Sequence, residues 1–105
     1  MLDIDIKPKQ GVLFVRLTGR LNKNSLEKLK TEVSTFVKQV GIKNIVFNIF
    51  DLEELDLDGI NELIKNYDYC VSNQGKALFV GDNDNQYLKD KMVGDEKKAV
   101  ELINV

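Results

Sequence analysis

In "LDIDIK", Leu2, Ile4 and Ile6 alternate with Asp3, Asp5 and Lys7. That period of two predicts a strand with one wet face, at the edge of a sheet. Pro8 is expected in the turn that follows. "VLFVRLTG", from Val12 to Gly19, is apolar on both faces apart from Arg16, so it predicts a second, more deeply buried strand. The short "PKQG" link makes the pair an antiparallel hairpin.

From Leu26 the spacing changes. Leu26, Leu29, Val33, Phe36, Val37 and Val40 recur at helical intervals, with Ser25 placed to cap the start and Gly41 to end the helix. "NIVFNIF" is a continuous β-branched and aromatic run, as expected of a central strand covered on both sides by helices. A helix between two strands implies a right-handed parallel crossover. Beyond "DLEELDLDG", read as an acidic loop, Ile60, Leu63, Ile64, Tyr67 and Val71 predict a second amphipathic helix that ends near Asn73-Gln74-Gly75. "KALFVG" supplies another buried strand. The tail carries weaker helical spacing in two pieces, Tyr87-Leu88-Met92 and Ala99-Val100-Ile103, separated by Gly94.

Composition narrows what such a chain does. At 105 residues and 43% hydrophobic content it suits one domain, spanning residues 1–105, with a single core. The N-terminal "MLDIDIK" has acids where a signal peptide needs a basic region, and no apolar run approaches the ~20 residues that cross a bilayer. A cytoplasmic protein is expected. Cys70 is the single cysteine and there is no histidine, which removes an internal disulfide and the parts for the usual zinc, Cys-His and Ser-His-Asp chemistries. The net charge of −2 arises from intermixed Lys, Asp and Glu without a one-signed basic patch. Nucleic acid and membranes are therefore not expected as partners.

The element order of hairpin, helix, strand, acidic loop, helix, strand and helix meets two local strings, "VRLTGRLNKNSLEKLK" and "IVFNIFDLEELDLDGI". Together these resemble the STAS domain of bacterial anti-sigma factor antagonists over roughly residues 2–92. The likeness is carried by the L-T-G-x-L turn at Leu17 to Leu21 and the D-x-x-G turn at Asp56 to Gly59. In that family the second turn typically reads D-S-S-G, and its second serine is phosphorylated by an anti-sigma factor that is also a serine kinase. The resemblance sets Asp56 on the family aspartate, Leu57 on the first serine, Asp58 on the phosphorylatable serine and Gly59 on the glycine. Both serines are gone. Asn22 stands where the family tends to be acidic, Glu54 where it is apolar, and Met92 to Lys97 is brief and polar for the last family strand.

The residues admit plainer readings. Asp58 is a carboxylate at a helix start, where it accepts free amide hydrogen bonds and meets the positive end of the helix dipole. Asp51, Glu53, Glu54, Asp56 and Asp58 are of the type that binds Mg²⁺ or Ca²⁺, but a solvated acidic loop needs no ion, and "DNDNQY" lacks the glycine of a calcium loop. No third group accompanies a carboxylate pair for hydrolysis. Gly19 suits a positive-φ turn, Ser25 a cap and Cys70 a small core or flank position. Leu57 is either a partner contact or a staple for the helix start.

The expectation is an α/β single domain, STAS-like, with a mixed four- to five-stranded sheet and helices packed mainly on one face. It is expected to be no enzyme, to need no cofactor or metal, and to bind an anti-sigma factor or related serine kinase-like protein. The contact surface is expected to combine Leu21, Asn22 and Asn24 with Asp56, Leu57, Asp58, Gly59 and Glu62. A scaffold that assembles with itself or with paralogous STAS domains is the alternative. A small-ligand or nucleotide binder comes third, since no phosphate-cradling glycine motif is present.

Overall fold

The computed structural model describes residues 1–104. Five strands make one mixed sheet in the order β1-β2-β3-β4-β5. β1 (Leu2–Lys9) and β2 (Val12–Leu21) form the antiparallel hairpin, and β3 (Asn44–Leu55), β4 (Lys76–Val80) and β5 (Met92–Val93) add in parallel. The first helical pattern runs as α1 (Leu26–Leu29), a π turn over Lys30–Ser34 and α2 (Thr35–Val40). α3 (Leu57–Ser72), α4 (Gln86–Lys89) and α5 (Glu96–Ile103) complete the chain.

The alternating and helical patterns meet in two layers of core. On the larger face, Val15 and Leu17 of β2 and Ile45, Phe47 and Ile49 of β3 pack against Leu29, Val33 and Val37, with Leu63 and Cys70 of α3 and Leu88 of α4. Phe47 stacks on Phe79 with ring centroids 5.7 Å apart. On the other face Val12, Phe14, Val46 and Val80 meet Ala99 and Ile103 of α5. The helices thus lie mainly, not wholly, on one side.

Several local expectations change. Pro8 belongs to β1, opposite Leu13, and the turn is the two-residue Gln10-Gly11 with φ of 54° and 78°. An edge strand accepts proline because its outward positions owe no N–H to a neighbour, and left-handed φ at both loop residues matches the twist of a hairpin. Gly19 does have positive φ, 100°, but it lies inside β2 at a shift in the pairing with β3 rather than in a turn. There a Cβ would overlap the Met1 carbonyl, so the glycine lets the chain start cross it closely.

The acidic "DLEEL" is not a loop but the second half of β3, with Asp51 opposite Thr18 and Leu55 opposite Leu21. Main-chain pairing carries the strand to the edge of the core, where Leu52 and Leu55 still pack, and Asp51, Glu53 and Glu54 are exposed. Met92 is in a strand rather than a helix, paired with Phe79, so the last family strand exists at a length of two residues. It stops there because Gly94 and Asp95 follow, and the Asp95 carboxylate caps α5 by accepting from the Lys98 amide at 2.8 Å.

Candidate functional site

The start of α3 and the β2–α1 turn are joined by one carboxylate. Asp56 is extended (φ −89°, ψ 177°) and stands before the first helical residue. Its Oδ1 accepts from the Gly59 amide at 2.8 Å and its Oδ2 from the Lys23 amide at 3.0 Å. Its own amide donates to the Leu21 carbonyl at 3.1 Å. The helix cap is therefore Asp56 and not Asp58, because only the residue just outside the helix can turn its side chain back onto the free amides.

Asn22 organises the turn opposite. Its Oδ1 accepts from the Asn24 amide at 2.9 Å and the Ser25 amide at 3.2 Å, while its Nδ2 donates to Glu54 Oε1 at 2.7 Å. Ser25 does not cap α1 with its side chain. Its hydroxyl instead closes the turn, accepting from the Asn22 amide at 3.1 Å and donating to the Arg20 carbonyl at 2.8 Å. Asn22 and Glu54, two of the positions where the sequence differs from the family it resembles, here bond to each other.

The structure brings together Asn22, Asn24, Asp56, Leu57 and Asp58, with Asn24, Leu57 and Asp58 exposed. Leu57 is 64% exposed, so it does not staple the helix start. Three expected contact residues are elsewhere. Leu21 is buried at 0% exposure, held by the core below the turn. Gly59 is also buried, since a Cβ there would sit 2.7 Å from Leu21 Cγ, and its absence lets α3 approach β2. Glu62 is 6% exposed and faces the π turn before α2, where Ser34 Oγ donates to its Oε2 at 2.6 Å. Asn66 Nδ2 donates to both Ser34 Oγ and the Glu62 carbonyl at 2.9 Å. Glu62 therefore ties two helices together and offers no partner a charge.

That network and one other were missed. Arg16 lies across the sheet from the candidate surface and donates to Glu96 through Nε at 2.8 Å and Nη2 at 2.7 Å, with Asn48 Nδ2 adding a third bond at 2.8 Å. These bonds, from Arg16 above all, hold the Glu96 carboxyl down at about 2 against the opposing pull of burial. For the second a signal was available, since Arg16 is the polar residue in an otherwise apolar strand; for the first, only the spacing of Glu62 and Asn66 four apart on α3 was visible, not their partner Ser34. Cys70 is a core residue as expected, and burial pushes its thiol up to about 11.

Among the described residues, no three His, Cys, Asp or Glu side chains converge to hold an ion. Asp51, Glu53 and Glu54 are strung along β3, and Asp56 is spent on backbone amides. No helix is long and apolar enough to cross a membrane.

An antiparallel hairpin leading into a parallel sheet, with a capped helix start beside the β2–α1 turn, defines the class, and the STAS domain model matches residues 3–87. The chain belongs to the STAS domain family. Among its relatives, an anti-sigma F factor antagonist of Paenibacillus polymyxa is 24% identical over 81 residues, which span 77% of this chain and 68% of that one. The fold is shared with the Bacillus cell fate determinant SpoIIAA in its phosphorylated form, at a TM-score of 0.77 and 16% identity, covering 96% of this chain and 99% of that one. It is shared also with an anti-sigma factor antagonist from Mycobacterium paratuberculosis, at 0.84 and 14%, covering 100% and 96%. In sequence and fold this is a STAS domain like those of anti-sigma factor antagonists.

Proposed function

We propose that the chain is a regulatory binding module that docks on an anti-sigma factor or related serine kinase-like protein, and that it is held in one signalling state. The observation that carries this reading is the setting of Asp58. It is exposed in the first turn of α3, beside exposed Leu57, while Asp56 alone caps the helix. A side chain not needed for the cap is free to meet a partner. A serine there is neutral until phosphorylation adds roughly 1.5–2 negative charges, whereas an aspartate carries about one permanently and has fewer acceptor oxygens. Asp58 thus imitates the modified state in part and gives a serine kinase nothing to modify.

The docking surface is Asn22, Asn24, Leu57 and Asp58, with Asp56 beneath it. No catalytic role is assigned to any of them. The test pairs the chain with an anti-sigma factor of the serine kinase type from the same organism and follows both phosphate transfer and affinity. Wild type should take up no phosphate at position 58, and Asp58→Ser should become a substrate that, before modification, binds more tightly than wild type. Equal affinity for the two would remove the signalling half of the reading.

A second reading, a module that assembles with itself or with paralogous STAS domains, is favoured by the charge order along the free edge of β1, "DIDIKPK".

A further inference from the structure

We propose that β1 pairs antiparallel with β1 of a second copy of this chain, about a two-fold axis at Ile6, so that the two sheets continue as one. The inference deepens the self-assembly reading and rests on it. β1 is the outermost strand on its side of the sheet. The Arg20 amide donates to the Met1 carbonyl at 3.0 Å, which makes the odd-numbered residues those that bond to β2. The even-numbered residues Leu2, Ile4, Ile6 and Pro8 turn their main-chain groups to the open side. Of these, the Leu2 carbonyl is already taken by Lys28 Nζ at 2.6 Å, and Pro8 has no N–H.

Centring on Ile6 uses what remains. Ile6 of each copy exchanges both bonds with the other, and each Ile4 amide donates to a Pro8 carbonyl. The Ile4 carbonyl, opposite Pro8, stays in water at the open face. Side chains on the α5 face then oppose each other as Asp5 with Lys7 and Asp3 with Lys9, giving four pairs of opposite sign over the two copies. Centring on Asp5 would instead set Asp5 against Asp5, and centring on Lys7 would set Lys7 against Lys7. Lysine and proline ordinarily defend an edge from pairing. In this order they select one register. Asp5 also lies opposite Arg16 of β2, but that guanidinium is committed to Glu96, which leaves Asp5 available.

The other face of the edge is apolar. Ile4 and Ile6 are only partly buried against the main core. Ser34 reaches Glu62 of α3, and Tyr69 of α3 donates to the Lys38 carbonyl, so that flank of the helix faces α3. Leu29, Val33 and Val37 face the sheet. Helical steps then place Phe36 and Val40, 39% and 59% exposed, on the opposite flank, above β1, where Lys28 also reaches Leu2. A second copy brings its own Ile4, Ile6, Phe36 and Val40 against them.

Sedimentation velocity over a concentration series tests this with two charge variants. Lys7→Glu with Lys9→Glu makes the edge wholly acidic, and Asp3→Lys with Asp5→Lys makes it wholly basic. Each alone should raise the dimer Kd at least about tenfold, and their 1:1 mixture, in which all four pairs return, should dimerise at least as well as wild type. Circular dichroism melts confirm that each variant is folded. In wild type the Ile4 and Ile6 amides should exchange more slowly as concentration rises. A wild type that stays monomeric at about 1 mM overturns both the inference and the self-assembly reading. Dimers unaffected by the reversals, or a mixture that does not recover, overturn this edge and leave self-assembly through another surface.

Discussion

Two aspartates one residue apart at the start of α3 do different work. Asp56 lies just outside the helix and satisfies two amides on two elements, so Asp56→Ala should cost about 1 kcal/mol, and more if the β2–α1 turn loosens with it. Asp58 lies inside the first turn, and Asp58→Ala should change stability by less than about 0.5 kcal/mol. Chemical denaturation of the two variants separates them. Glu62 belongs to a third situation. A lysine there would bury a cation beside Ser34 and within reach of Lys65, which lies 4.0 Å from the native carboxylate. Glu62→Lys should therefore destabilise by about 3–5 kcal/mol, read as a lowered denaturation midpoint. A partner contact would instead have left the melt unchanged.

Individual elements were legible where burial follows a period. The alternation from Leu2 to Lys7 and the spacing of Leu29, Val33 and Val37 mark faces that the core must cover, and both elements are there. The second half of β3 was not legible, since Leu52 and Leu55, which pack against the core, are set among exposed acids that break the apolar run, and main-chain pairing with β2 carries the strand on. The π turn also left no mark. The amide and hydroxyl of Thr35 both donate to the Lys30 carbonyl, the hydroxyl at 3.0 Å, which absorbs the extra residue while Ser34 turns to Glu62. That contact joins positions 28 apart, beyond the reach of any local pattern.

The attachment of α5 is an element-scale prediction with a pH signature. The carboxyl of Glu96 is held at about 2 against an ordinary 4.5, first by Arg16 and then by Asn48. A carboxyl lowered in the folded state stabilises above its unfolded value and loses that contribution as pH falls from 4.5 toward about 2. The melting midpoint should fall across that window, and Glu96→Gln should flatten the fall. Arg16 is about half exposed, so salt should weaken the effect.

At the scale of the whole molecule, the hairpin and the first crossover set the β2–α1 turn beside the start of α3, while the Glu62 network fixes α3 against the π turn before α2. The surface is carried on rigid elements, and the rest of the chain supports it. Cys70 reports on that support: buried and with its thiol at about 11, it should react with a thiol reagent only on unfolding, so labelling should track the denaturation curve.

The central claim is that partner recognition occupies this end of the sheet. Chemical-shift mapping of the isotope-labelled chain, titrated with an anti-sigma factor of the serine kinase type from the same organism, tests that claim most directly. The largest perturbations should fall on Asn22, Asn24, Leu57 and Asp58, with Glu62 and Asn66 nearly unmoved. A contact centred on α5 and the Arg16–Glu96 pair would contradict it.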